Sequence, residues 1–190
     1  PEKMSMRLTL FVLLASHAVA WDMHVFAVGS DHACAMPFCG PEASSPECTP
    51  RCWGKGADGQ TTVPQGVAFA QLAAGSHHTC GLEANGAASC WGYGAEGQTV
   101  PPANVFFSKL SLGDTHSCGL TLDGAVSCWG GNGRGQTDIP IYSDVSWLDV
   151  AAGLDHTCAV GRNRTNNVQS IWCWGRNTYS QTDAPVSLGG

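Results

Sequence analysis

Charge is scarce in this 190-residue chain, with only 13% of its residues Asp, Glu, Lys or Arg. A surface helix needs a solvated, charged face, so the scarcity argues against a helical bundle. Cations are the scarcer sign, nine Lys and Arg against 15 Asp and Glu for a net charge of -6, and they form no basic run. Neutralising a phosphate backbone takes a cluster of cations, so nucleic acid is not an expected partner. No apolar stretch approaches the roughly 20 residues that cross a bilayer, and no membrane span is expected within the chain. Also missing are the Gly-x-Ser-x-Gly nucleophile elbow and any local motif of paired carboxylates. Isolated acids such as Asp58 and Glu96 lie in Gly-rich runs, where solvation accounts for them. The chain is therefore expected to be no enzyme and to need no cofactor. One further absence is informative: none of the ten cysteines stands alone.

What the chain has is glycine, 24 residues of it, and a phrase repeated four times. The copies begin Gly29-Ser-Asp-His32-Ala-Cys34, Gly75-Ser-His-His78-Thr-Cys80, Gly113-Asp-Thr-His116-Ser-Cys118 and Gly153-Leu-Asp-His156-Thr-Cys158. Each continues to Cys-Trp-Gly, at Cys52, Cys90, Cys128 and Cys173, and then to Gln60, Gln98, Gln136 and Gln181. The glutamines are spaced by 38, 38 and 45 residues, a period that marks an array, solenoid or propeller.

Within a copy the signals are those of strands and tight turns. Val67 to Ala74 reads as a strand, His78 to Glu83 as a second and Ala87 to Trp91 as a third, with Asn85-Gly86 a hairpin signal between the last two. Asp123-Gly124 is its counterpart in the next copy. A three-residue loop at 84–86 sets opposite each other residues whose numbers total 170, as those of Cys80 and Cys90 do. The third copy obeys the same rule for Cys118 and Cys128. Directly opposed residues of an antiparallel pair come near disulfide distance. The expected staples are Cys80 with Cys90, Cys118 with Cys128, Cys34 with Cys52 and Cys158 with Cys173, with Cys39 and Cys48 pairing inside an insert of the first copy. Closing a loop of about 10 residues contributes roughly 2 to 3 kcal/mol in a chain-entropy account.

The compartment follows by two routes. Arg7 precedes the apolar run Leu8 to Ala15, and Ala18-Val-Ala20 supplies the small residues a signal peptidase reads, so 1–20 is expected to be a signal peptide with an upstream remnant, Pro1 to Ser5, before Met6. An even set of cysteines at repeated spacing is independently the mark of an oxidising environment. A secreted or lumenal protein is expected.

Three short strands cannot stand alone in water, so each unit must stack on its neighbours, and radial repetition of such sheets is a β-propeller. The expected fold is all-β, with a propeller domain over 21–190 made of four short antiparallel blades at about 21–66, 67–104, 105–144 and 145–185. Residues 186–190 read as the start of a fifth, which points to an open arc or a piece of a larger, about seven-bladed ring.

The phrase Gly-x-x-His-x-Cys, a hairpin, Cys-Trp-Gly and Gly-Gln resembles the regulator of chromosome condensation repeat, in its disulfide-bearing secreted and surface variant. It is also similar to the compact propellers of the secreted β-lactamase inhibitory kind and to the crinkly class of receptor ectodomains. The resemblance implies a propeller throughout 21–190. Members serve as exchange factors, inhibitors, receptor ectodomains and scaffolds, so the fold alone names no activity.

His32, His78, His116 and His156 with the cysteines form ligand types suited to zinc, but one identical set per blade would demand four separate sites. A structural role is expected, with each imidazole bonding backbone at a blade junction and no metal bound. The tryptophans after cysteine are expected to pack at the same junctions. Variation is confined to the runs between Trp-Gly and Gly-Gln, where Tyr93, Arg134, Arg176 and Tyr179 are the residue types that anchor interfaces and are the candidate contacts. Two inserts, 36–51 and 162–169, add loop surface, and the second holds the sequon Asn163-Arg-Thr165, a candidate glycosylation site. The expected partner is another protein, or further blades of the same chain. A secreted interaction module is the leading expectation, a receptor ectodomain the alternative, and nucleotide exchange on a nuclear GTPase is disfavoured by the cysteines. Mass mapping of the unreduced protein should recover Cys80 joined to Cys90 and Cys118 to Cys128; a Cys80 to Cys118 linkage would refute the hairpin register.

Overall fold

The computed structural model describes residues 24–37 and 49–185. The expected signal peptide, the Cys39 and Cys48 pair and the start of a fifth copy at 186–190 lie outside the described residues. Twelve strands run in chain order: β1 His24–Val28, β2 His32–Pro37, β3 Arg51–Gly54, β4 Gln71–Ala74, β5 His78–Leu82, β6 Ala88–Gly92, β7 Phe107–Leu112, β8 His116–Thr121, β9 Val126–Gly130, β10 Val145–Ala152, β11 His156–Asn163 and β12 Gln169–Gly175. They form four three-stranded antiparallel sheets, each made of three consecutive strands, so every copy of the repeat is one blade.

The hairpin register is the one the loop arithmetic requires. Cys80 faces Cys90 and Cys118 faces Cys128 across β5–β6 and β8–β9. Cys34 faces Cys52 and Cys158 faces Cys173 in the outer blades, and all four opposed pairs are bonded with Cα atoms 4.0 Å apart. That separation is nearest to the closer of the two kinds of directly opposed antiparallel pair. The tight turns rely on glycine: Gly86 and Gly124 have φ of 89° and 81°, a region that costs an L side chain strain.

The first strand of the second blade is shorter than the sequence suggests. β4 begins at Gln71, not Val67, because the chain at Phe69 leaves the ladder to bury its ring at the junction. Phe69 is fully buried and lies over Gly81, where a Cβ would sit 2.2 Å from its ring. Phe107 does the same over Gly119, at a register shift between Phe107 and Lys109. A mid-strand glycine weakens a strand, and here it opens the space an aromatic needs.

The hydrophobic cores lie between blades, not within them. Cys34 and Met36 of the first blade pack with Phe69, Leu72 and Trp91 of the second. Cys80 and Leu82 meet Phe107, Leu110 and Trp129 of the third. Cys118 and Val126 meet Val145, Trp147, Val150 and Trp174 of the fourth. Each core thus joins the disulfide of one blade to the tryptophan of the next. Among the described residues no fourth core joins the last blade to the first, and Trp53, the equivalent of Trp91, Trp129 and Trp174, is 53% exposed where they are 7–8% exposed. The architecture is an open arc of propeller blades. Replacing Phe107 by Ala should cost about 3 to 5 kcal/mol in urea unfolding by emptying the second junction; a loss under about 1 kcal/mol would mean the junctions do not carry the core.

Candidate functional site

Each junction is built on one backbone carbonyl. The C=O of Gln60 accepts the indole N–H of Trp91 at 3.0 Å and the hydroxyl of Thr79 at 3.2 Å, both from the next blade. Gln98 accepts Trp129 at 2.9 Å and Ser117 at 2.9 Å, and Gln136 accepts Trp174 and Thr157, each at 2.9 Å. The same hydroxyls stand 2.8–2.9 Å from Nε2 of His32, His78 and His116 in the preceding blade. A hydroxyl has one proton, and here it goes to the carbonyl, so the imidazole must be the Nε2–H donor. The histidines therefore do serve the junctions, but they bond a side-chain hydroxyl of the neighbouring blade and not backbone. The sequence signal for that acceptor was the Thr, Ser and Thr that stand between His and Cys in three of the copies.

The motif's leading glycine follows from the same geometry. The imidazole of His78 lies on Gly75, whose added Cβ would be 2.3 Å from the Gly113 carbonyl oxygen and 2.7 Å from the ring. Nδ1 of His32, His78 and His116 is buried with no partner among the described residues. A second ring proton would have no acceptor there. Burial, first, and the neighbouring histidines push His78 down to about 4. His116 is pushed down to about 4, again by burial first, with Asp155 opposing. Burial also lowers His32.

Glutamine pins the loop that precedes it as well. Oε1 of Gln60, Gln98, Gln136 and Gln181 accepts the backbone N–H two residues earlier, at 2.8–3.0 Å. The other end of each loop is held by the turn that joins the first two strands: Lys55, Tyr93, Gly131 and Arg176 donate their N–H to the carbonyls of Asp31, His77, Thr115 and Asp155. These bonds place the variable loops beside the β1–β2, β4–β5, β7–β8 and β10–β11 turns, at one end of the blades. The four turns line a depression of about 250 Å3 whose rim includes Val28, Ser30, Ser76 and Leu154.

Tyr93, Arg134, Arg176 and Tyr179 all belong to this turn end. Tyr93 is 40% exposed and meets His77 edge-on, with ring centres 6.5 Å apart, and His77 lies 3.8 Å from Asp114 of the next blade. Arg176 pairs with Asp155 at 3.1 Å and stands 5.9 Å from the ring centre of Tyr179, which is 81% exposed. Arg134 is exposed, and its backbone N–H is bonded to Oε1 of Gln136. The second insert is elsewhere. Residues 162–169 join the second strand of the fourth blade to its third, so they lie at the opposite, hairpin end, while most of the first insert, 38–48, lies outside the described residues. Asn163 is there, its Oδ1 accepting the N–H of Thr165 and of Asn166 at 2.8 and 3.1 Å. Among the described residues no three His, Cys, Asp or Glu side chains gather as a metal site would require.

The profile of the regulator of chromosome condensation (RCC1) repeat matches residues 69–98, 107–136 and 147–181. The chain belongs to the RCC1 repeat family. Each RCC1 match begins at a junction aromatic, Phe69, Phe107 or Trp147, and ends at the glutamine of its copy, Gln98, Gln136 or Gln181, the first two of which serve a junction. No curated protein matches the chain by sequence. The entire ectodomain of the Physcomitrella patens receptor kinase CR4 superposes with a TM-score of 0.61 at 27% identity, over 79% of this chain and 38% of that one. The CRINKLY WD40 ectodomain of the Arabidopsis thaliana receptor kinase ACR4 gives 0.59 at 26% identity, over 79% and 49%. Prp20p of Saccharomyces cerevisiae gives 0.59 at 18% identity, over 78% and 44%, a likeness of fold alone. The chain thus spans less than half the length of these relatives.

The lowered histidines predict a direction of pH dependence. At neutral pH His78 and His116 are uncharged in the folded chain, and that contribution is whole above the unfolded value near 6.5. As pH falls from there to about 4 the unfolded chain takes protons first and stability drains away, by about 3 kcal/mol per histidine at roughly 1.4 kcal/mol per unit. The urea midpoint should fall steeply between pH 6.5 and 4 and less steeply in a His78→Gln, His116→Gln double variant; equal slopes would contradict the junction role.

Proposed function

We propose that the protein is a disulfide-stapled interaction module of an oxidising compartment, secreted or lumenal, that binds another protein through the turn end of its blades. The observation that carries this is the contrast on that face: loops tied down at both ends by the junction network, presenting side chains that differ from copy to copy. Pinned loops lose little freedom on binding, and Tyr and Arg suit a protein contact. Four bonded cysteine pairs support the compartment. In the RCC1 family, yeast RCC1 (Prp20) has been crystallised with Kap60 bound, which supports protein binding as the activity of such a propeller. Eight of the cysteines are bonded in staples and His32, His78 and His116 are engaged at the junctions, which leaves these residues no part in catalysis and supports a non-enzymatic role.

A second reading, the ectodomain of a membrane receptor, is favoured by the 27% and 26% identity to two receptor-kinase ectodomains. Gene sequence downstream of Gly190 separates the two: an apolar run of about 20 residues supports the receptor. Nucleotide exchange on a GTPase is the least supported, since its relatives share only the fold. Asn163 fits a glycan in either of the first two readings, because its Asx turn stands at the hairpin end and leaves the turn end uncovered. The proposed blade boundaries are those of the repeat, with breaks near 66, 104 and 144. With the partner in hand, alanine at Tyr93, Arg134, Arg176 and Tyr179 in turn should weaken binding by about 1 kcal/mol or more at one or two positions without moving the melting curve. No effect at any of the four would exclude the turn end.

A further inference from the structure

The net charge of the blades sits at one end of them. At the turn end the turns between first and second strands carry Asp31, Asp114 and Asp155. The loops beside them add Asp58, Glu96, Asp138 and Asp183 and, of the opposite sign, Lys55, Arg134 and Arg176. The other charges of the described residues balance, Glu83, Asp123, Asp144 and Asp149 against Arg51, Lys109, Arg162 and Arg164. The excess of acid over base therefore belongs wholly to the turn end. Part of it is engaged: Arg176 pairs with Asp155 and Lys55 with Asp58, while Asp138 and Asp183 accept the side-chain amides of Asn132 and Asn177. Among the described residues no Lys or Arg pairs with Asp31, Glu96 or Asp114.

The depression among the four turns gives this charge a shape. Its volume of about 250 Å3 is below the roughly 300 Å3 at which pockets for whole small molecules begin, so it suits a single side chain. Val28, Leu112 and Leu154 give it apolar walls, and no residue lining it is charged. Ser76 lines it too, is only 8% exposed, and has a hydroxyl without a hydrogen-bond partner among the described residues. The carbonyl oxygens of Gly75, Gly113 and Gly153 stand close by, each 2.3–2.5 Å from where a Cβ on the preceding turn's glycine would be. An enclosed hydroxyl is costly to leave unpaired, which favours an occupant that bonds it. Apolar walls beside oxygen acceptors, under a rim of carboxylates, match a side chain with an aliphatic stem and a cationic head. A purely apolar side chain would leave the hydroxyl unpaired, and an acidic one would be repelled by the rim.

We propose, resting on the turn end as the binding face, that the partner protein presents a basic segment there. One Lys or Arg side chain of the segment enters the depression, its stem along Val28, Leu112 and Leu154 and its head at the Ser76 hydroxyl. Neighbouring Lys or Arg residues of the segment face Asp31, Glu96 and Asp114. Complementary charge of this kind speeds encounter and rejects acidic partners, and salt weakens it.

The test is a titration of the isotope-labelled protein, disulfides intact, with three short Gly and Ser peptides that carry three Lys, three Glu or three Leu, read from backbone amide shifts. The lysine peptide should move the amides of Ser30, Ser76, Gly113 and Leu154 and the glutamate peptide none of them, and the response should fade as salt rises from about 0.05 to 0.5 M. Leu154→Arg, at an exposed position, should weaken the lysine peptide about tenfold and Asp31→Lys about threefold. Asp144→Lys, the same change of charge at the hairpin end, should weaken it less than about twofold. Asp31→Lys carries the comparison by itself if Leu154→Arg does not fold. Equal losses from Asp31→Lys and Asp144→Lys mean that net charge alone attracts the peptide, and overturn the site. A response to the leucine peptide alone overturns the basic partner and leaves the turn end as the binding face. No shift at these amides with any peptide at millimolar concentration overturns the proposal, while the alanine scan with the partner still decides the binding face separately.

Discussion

The structure depends on a glutamine carbonyl that serves the blade it does not belong to. Gln60, Gln98 and Gln136 each end a loop in one blade and accept both an indole and a hydroxyl from the next. The hydroxyl in turn accepts the imidazole of the first blade, so three side chains and one backbone group close a circuit across every junction. Buried polar groups are costly unless paired, and this circuit pairs them while fixing the angle and register at which blades meet. It explains why the repeat spells Gly, His, a hydroxyl, Cys, Trp and Gln in that order.

The division of labour with the disulfides is clear from where the apolar side chains go. A blade of three strands has no core of its own, and Phe69, Phe107 and Trp147 all turn outward to the junctions. Within a blade the hairpin is held by its ladder and its staple; between blades the aromatic, the cystine and the indole make the core. Covalent closure holds the hairpin of each blade, which suits a chain whose units are each too small to fold alone.

The same circuit links scaffold to surface. Because glutamine anchors its loop through Oε1 and its neighbour through C=O, the loop tips can vary without loosening the array. Tyr93 against His77, and Arg176 between Asp155 and Tyr179, show side chains ordered on the surface by contacts of the blade itself. The 162–169 insert with its Asn163 sequon stands at the opposite end, so the chain separates this insert from its variable loops in space.

The sequence by itself determined the blade. Spacing of the four copies, Asn-Gly and Asp-Gly turns and the opposition of Cys80 to Cys90 are local facts, since a hairpin's register follows from the length of its loop. It also named the residues of the turn end, because variation among copies needs no structure to be seen. What only the tertiary structure decided is everything that crosses from one blade to the next. That His78 bonds Ser117, 39 residues away, that Gln60 receives Trp91, and that Phe69 leaves its strand to lie on Gly81 are contacts between copies, and a repeat read one copy at a time cannot show them. Nor could it place the 162–169 insert and the candidate contacts at opposite ends. That follows from the up-and-down course of three strands in a blade, a property of the assembled sheet and not of any residue in it.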